Sequence, residues 1–175
     1  MAVPSTFCDN RERLHKGFSK RERYTTLNWT VAIDRTVGRT IYRWHVHLYR
    51  LTRGAIGHKS PLGPMLLMEV RGRKSGLTRS VTLLYYEEDG VYYVVASNGG
   101  RPEHPEWLSN VRQNPAVTLQ VGAQRFEAVA RVVPSTDDPQ RWSELVRHYG
   151  GWGAYQKLTD RTICFVELVP TSRTA

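Results

Sequence analysis

From Met65 onward the chain is written in short apolar runs separated by turn residues. The runs are "MLLMEV" (65–70), "VTLLYY" (81–86), "VYYVVAS" (91–97), "AVTLQV" (116–121), "RFEAVARVV" (125–133) and "TICFVELV" (162–169). Each is the length of a strand and rich in β-branched or aromatic residues. Asp89-Gly90 is a hairpin signal, and "GAQ" joins another pair of runs. Two helices interrupt the pattern. One begins near Pro105 and stops before Pro115, and the other follows the capping residues and Pro139 of "STDDPQRWSELVRHY". Strands this short, without βαβ alternation, predict a mostly β, α+β chain: about six mainly antiparallel strands in a barrel or a sandwich.

The N-terminal third is different. Residues 1–60 hold 12 Lys and Arg against 4 Asp and Glu, a net +8, whereas residues 61–175 hold 13 against 12, a net +1. Residues 1–28 read as a tail. In "AIDRTVGRTIYRWHVHLYRLTRG", Ile33, Val37, Ile41, Trp44, Leu48 and Leu51 recur every three or four residues and fall within an arc of about 80° on a helix. Arg35, Arg39, Arg43, Arg50 and Arg53 lie opposite. We therefore divide the chain into residues 1–60, a basic tail and amphipathic helix, and residues 61–175, the β domain. The basic face suits an anionic partner: a phosphorylated cofactor, a lipid surface or nucleic acid. Nucleic acid ranks last, because no nucleic-acid module accompanies the charge. A helix packed on the β domain with a solvated outer face is the plainer alternative. No apolar run reaches the roughly 20 residues of a membrane span, and the N-terminus lacks a signal-peptide core. The two cysteines, Cys8 and Cys164, form no metal or redox spacing, and a cytoplasmic protein is expected.

"VRGRKSGLTRS" (70–80) gathers Arg71, Arg73, Lys74 and Arg79 around two glycines and two hydroxyls. Such residues bind phosphate through charge, hydroxyl donors and close backbone approach. A solvated hairpin tip is the competing reading. "ASNGGRPEHPEW" places glycines between a strand end and a helix start, where unpaired N–H groups collect. An ordinary connection explains it equally. "HYGGWGAYQ" spaces Tyr149, Trp152 and Tyr155 by three, as a core stripe or a pocket wall. No paired carboxylates, nucleophile–histidine set or metal cluster is evident, so hydrolase chemistry has little support.

Taken together, "GRKSGLTRSVTLLYY", "VVASNGG", "HPEWLSNVRQNPAVTLQVG" and "YQKLTDRTICFVELVP" resemble the deazaflavin (coenzyme F420)-dependent nitroreductase family over residues 60–170. The resemblance implies a split β-barrel, like that of FMN-binding split-barrel proteins. It also implies hydride transfer from reduced coenzyme F420 to an electron-poor small molecule: a quinone, an enone or other activated double bond, or a nitroaromatic. Gly72, Arg73, Lys74, Ser75, Gly76 and Arg79 match the family's phosphate-side positions. Ser97, Asn98, Gly99 and Gly100 match its ring-side segment, and His104, Pro105 and Trp107 its helix start. Tyr149, Trp152 and Tyr155 match the substrate-side aromatics; Tyr149 or Tyr155 is the candidate to donate a proton to the acceptor oxygen or to orient it, with solvent as the alternative proton source. The chain departs from the family pattern at Thr78 and Thr82, where prolines are usual, at Asn98, where lysine is common, and at Trp152, where tyrosine is usual. FMN is the alternative cofactor. A non-catalytic deazaflavin-binding or membrane-associated protein is the alternative function. A homodimer, and a peripheral contact of the basic helix with anionic lipid at the inner face of the membrane, complete the expectations.

Overall fold

The computed structural model describes residue 44 and residues 46–171. Helix α1, described at residue 44 and over 46–51, precedes β1 (Lys59–Ser60), β2 (Gly63–Arg71), β3 (Thr78–Glu88) and β4 (Val91–Val95). A single 3-10 turn (Asn98–Gly100) and α2 (Glu106–Gln113) lead to β5 (Ala116–Val121) and β6 (Gln124–Pro134). Helices α3 (Pro139–His148) and α4 (Gly150–Lys157) and strand β7 (Cys164–Pro170) complete the order. All six expected strands are present, and the two-residue β1 adds a seventh.

Every pairing is antiparallel, in the order β1-β2-β3-β4-β7-β6-β5, and β5 returns to pair with β2. Strands β2 to β7 therefore close into a barrel, which leaves no free edge among those six. Strand β6 serves two partners: Ala116–Val121 pair with its first half and Cys164–Pro170 with its second, overlapping at Ala128 and Val129.

Alternation along the strands fills the barrel. Leu66, Met68 and Val70 of β2, Tyr92 and Val94 of β4, Val117 and Leu119 of β5, and Cys164, Val166 and Leu168 of β7 form one buried cluster. Leu108 and Val111 of α2 belong to it, so this helix plugs one end. The opposite phase of β4 and β7 is covered from outside. Tyr93, Val95 and Phe165 pack with Leu145 of α3, Trp152 of α4 and Ile163. Burial on both faces explains why β7 opens with apolar residues at both phases, Cys164, Phe165 and Val166, before Glu167, which pairs with Arg131.

Helix α3 starts as its caps dictate: Asp138 accepts from the Arg141 N–H at 2.9 Å and Pro139 occupies the first turn. Tyr149 ends α3 and begins α4. A Cβ on Gly153 would lie 2.9 Å from Val146 Cγ1, so only glycine lets the two helices pack this closely.

Helix α1 departs from the expected orientation. Ile33, Val37, Ile41 and the arginines at 35, 39 and 43 lie outside the described residues. Of the predicted apolar stripe, Trp44 is 71% exposed, Leu48 41% and Leu51 82%. The packing face is instead Val46 and Tyr49, against Leu67 on the outside of β2. The reason is the Tyr49 hydroxyl, which donates to Met65 O (2.9 Å) and accepts from the Gly122 N–H (3.1 Å). It satisfies backbone groups at the β5–β6 hairpin that no leucine could serve. Arg50, predicted on the solvated side, pairs with Glu69 on the barrel. Among the described residues, no helix is long and apolar enough to cross a membrane.

Candidate functional site

The barrel is asymmetric end to end. One end carries tight connections: Asp89-Gly90, with φ of 51° and 77°, makes the hairpin that the sequence signals, and Gly122 turns β5 into β6. The other end carries the loop 72–77, the segment 96–115 with α2, and the segment 135–163 with α3 and α4. Every site residue expected from the sequence belongs to these three connections or their immediate flanks.

Loop 72–77 and α2 enclose a cleft of about 540 Å³, lined by Gly72, Arg73, Lys74, Ser75, Arg79 and Trp107 among others. The loop is closed by its own backbone. The Gly72 N–H donates to Leu77 O (2.9 Å) and the Gly76 N–H to Gly72 O (2.8 Å). Gly76 sits at φ 68°, where a side chain would be strained. Ser75 Oγ accepts from Arg79 Nη2 and from the Leu77 N–H, both at 3.4 Å.

The cations divide into two kinds. Arg73 is internal to the loop's support: its Nη1 donates to Glu106 (2.7 Å) and to Asn110 Oδ1 (3.1 Å), and its backbone N–H also reaches Asn110 Oδ1 (3.2 Å). The hydrogen bond to Glu106, with the charges of Arg73 and Lys74, holds that carboxyl below the usual carboxylate range. Lys74 and Arg79 are exposed. Lys74 makes no hydrogen bond or ion pair with the described residues, and Arg79 reaches only Ser75. Arg71 lies over the loop, with Nη2 3.6 Å from where a Cβ on Gly76 would stand.

The segment 96–104 is built on the same barrel end. Asn98, Gly99 and Gly100 all have positive φ (48°, 64° and 75°), so the chain reverses after Ser97. Asn98 Nδ2 donates to Glu103 O (2.8 Å) across the reversal. Gly100 is pinned, because a Cβ there would lie 2.9 Å from Leu158 Cβ and from Tyr155 O of the α4 end. Gly99 has nothing within 4 Å of such a Cβ. His104 and Pro105 then lead into α2, with Pro105 as its N-cap.

The aromatic segment is helix α4. Trp152 is only 4% exposed and belongs to the outer core, while Tyr149 and Tyr155 are half-buried beside it. Tyr149 meets Trp152 edge to face at 5.4 Å, and its ring folds over Gly151, where a Cβ would collide at 2.4 Å. Burial, then a hydrogen bond with Tyr155, pushes the Tyr149 phenol up. It therefore stays protonated at neutral pH.

Three residues that the sequence did not single out complete the site. Asn110 lies four residues from Glu106 and three from Trp107, spacings that the predicted helix makes readable. Arg161 is visible only in the folded chain, where it reaches residues about sixty positions earlier.

The chain is thus a closed antiparallel barrel with a basic glycine loop, a glycine reversal and an aromatic helix at one end, the layout that the sequence resemblance implies. A family model described as F420H(2)-dependent quinone reductase matches residues 41–170, and the chain belongs to that family. An F420H(2)-dependent quinone reductase of Mycobacterium tuberculosis (strain ATCC 25618 / H37Rv) is 36% identical over 140 residues, covering 78% of this chain and 94% of the relative. A solved F420-H2 dependent reductase (FDR-A) is 38% identical with a TM-score of 0.55, covering 60% of this chain and 93% of that one. A structure described as a domain-swapped dimer is 33% identical with a TM-score of 0.57, covering 74% and 98%.

Proposed function

We propose that this protein carries out the reaction of its family, transferring a hydride from reduced coenzyme F420 to a quinone. The observation that carries the reading is the cleft: Lys74 and Arg79 line it without an ion pair to a described residue, while its one lining carboxylate, Glu106, is engaged by Arg73. A phosphorylated cofactor fits that charge and the Ser75 hydroxyl. FMN carries a phosphate as well, but family membership favours the deazaflavin. A protein purified yellow with tightly bound FMN would overturn the choice.

Bound coenzyme F420, once reduced, supplies the hydride. The chain's own residues place and shield it. Lys74, Ser75 and Arg79 hold the phosphate, with Arg73 bracing the loop on α2. Ser97, Asn98, Gly99 and Gly100 form the ring-side wall, and His104, Pro105 and Trp107 the corner between ring and phosphate. Tyr149 and Tyr155 face the acceptor, with Trp152 buried behind them as a rigid backing. Tyr149 keeps its phenol proton at neutral pH and so can hydrogen-bond the quinone oxygen and pass it that proton, becoming the phenolate; its burial makes it a weaker acid than a free tyrosine.

The test is to mix the protein with reduced coenzyme F420 and a panel of quinones, enones and nitroaromatics, following the return of oxidised cofactor absorbance. Quinone-dependent oxidation is expected; none with any acceptor removes the reading. Tyr149→Phe and Tyr155→Phe separate the proton donors. Loss of about a hundredfold or more in kcat is expected for the donor, by the usual size of general acid catalysis. Wild-type turnover in both variants takes tyrosine out of the chemistry.

The surface around α1 supports the remaining expectations. Trp44, Leu48, Leu51, Ile56 and Leu62 are exposed, and residues 1–60 of the sequence carry a net +8. We assign this surface to peripheral contact with anionic lipid at the inner face of the membrane, where quinones reside. Sedimentation with vesicles of anionic lipid, lost at high salt, checks it. Salt-independent dimers in light scattering, without vesicle binding, would give the surface to a second copy.

A further inference from the structure

Arg161 stands three residues before β7, inside the quoted stretch "YQKLTDRTICFVELVP" but with no role assigned to it there. Its guanidinium nevertheless gathers both limbs of the 96–104 segment. Nη2 donates to Ser97 O (2.6 Å) and Ala96 O (3.3 Å) before the glycine reversal, and Nε donates to Arg101 O (2.9 Å) after it. Nη1 stands 3.2 Å from Nδ1 of His104. Three successive residues at positive φ take the backbone out of any ladder; within the reversal the Gly100 N–H reaches Ser97 O (2.9 Å), and joining the two limbs takes donors from outside it. One planar fork meets that need where a lysine, a single point charge, could not.

The contact with His104 fixes more than position. A guanidinium has five N–H donors and no acceptor, so a ring nitrogen facing it must accept. The His104 proton is then carried on Nε2, and the ring presents a donor on its far side. Arg161 is itself held from α4. Gln156 Nε2 donates to Arg161 O (2.9 Å), and Gln156 Oε1 accepts from the Ile163 N–H (2.9 Å). The aromatic helix, Arg161 and the glycine reversal thus form one hydrogen-bonded chain.

We propose that Arg161 is the positioning residue of the ring-side segment, clamping its two limbs together and holding His104 as the Nε2–H tautomer. Its bearing on the reaction rests on the reading of residues 97–104 as the cofactor's ring-side wall; the clamp and the tautomer do not.

The test uses the full-length protein labelled with 15N-histidine, with His104→Gln to assign the ring signals. Long-range proton–nitrogen correlation of the wild type should show Nδ1 bare and Nε2 protonated. In Arg161→Gln the ring should become a mixture of tautomers. Exchange of the Gly100 and Arg101 amides should rise by about tenfold, as expected when charge-assisted hydrogen bonds are lost. A wild-type ring protonated on Nδ1 overturns the proposal, as does a variant with the wild-type ring pattern and unchanged exchange. If Arg161→Gln does not fold, Arg161→Lys gives the same comparison, because an ammonium cannot span both limbs. Affinity for reduced coenzyme F420 is read separately. An altered ring with wild-type affinity upholds the clamp and counts against the ring-side assignment.

Discussion

Loop 72–77 and segment 96–104 meet at the same end of the barrel and both turn on glycines with positive φ, yet charge is distributed in them oppositely. The first carries its own cations and closes on its own backbone, so Lys74 and Arg79 remain turned outward for a ligand. The second carries few charges at its tip and is closed by a cation imported from sixty positions away, Arg161. One loop is a preformed binding surface; the other is a shape held from behind. Substitutions should therefore act on affinity in the first and on order in the second.

The largest effect is expected where charge faces the ligand. Lys74→Ala with Arg79→Ala should weaken coenzyme F420 binding by about 3 kcal/mol or more, roughly a hundredfold or greater, if each makes one charge-assisted hydrogen bond to phosphate. Stability should barely change, because both side chains are exposed. Equilibrium binding and thermal melting measured together check this. Wild-type affinity in the double variant would make the cleft an ordinary charged hairpin.

Much of this loop is legible in the chain's own order of residues, because hairpin, glycines and cations lie within a dozen positions. The barrel is legible for a related reason: antiparallel neighbours are joined by short turns, so Asp89-Gly90 and the Gly122 turn pair their strands locally. What could not be read is set by distant partners. Arg73 looks like its neighbours in sequence, and only α2, more than thirty positions on, turns it into a brace. Arg161 lies in a stretch that carries the family resemblance, but nothing local shows what it holds. In α1 the periodic stripe is not the packed face, because periodicity weighs apolar area alone. A single tyrosine hydroxyl, answering backbone groups at Met65, Gln120 and Gly122, decides the packed face.

The glycines of the second region give an intermediate effect. Gly100→Ala must push Leu158 and the Tyr155 carbonyl, while Gly99→Ala meets nothing, although both have positive φ. Gly99→Ala should cost about 1 kcal/mol for the left-handed backbone alone. Gly100→Ala should cost roughly 2–4 kcal/mol, adding overpacking to the same strain. Denaturant midpoints decide between them. Equal losses would show that α4 does not press on the reversal.

The smallest effect tests whether the first loop's charge is tuned from within. Glu106 is the one carboxylate lining the cleft, and its side chain is 84% exposed, so its pairing with Arg73 is worth little to the fold. It nevertheless holds negative charge where phosphate is to bind and occupies a guanidinium that could help. Glu106→Gln removes that charge and should tighten cofactor binding by about two- to fivefold, the scale of an exposed ion pair. Helix α2 loses an acid from its first turn, and stability should fall by about 0.3–1 kcal/mol. Acid should act in the same direction in the wild type. The carboxyl is held below its ordinary range, so the Arg73 pair is complete above that range and is lost only as pH falls through the lowered value. Affinity measured downward from neutral pH should then lose this penalty in the wild type while Glu106→Gln shows no such step. Weaker binding in Glu106→Gln would mean that Arg73 needs its carboxylate in order to brace the loop, making the ion pair a support of the site rather than a brake on it.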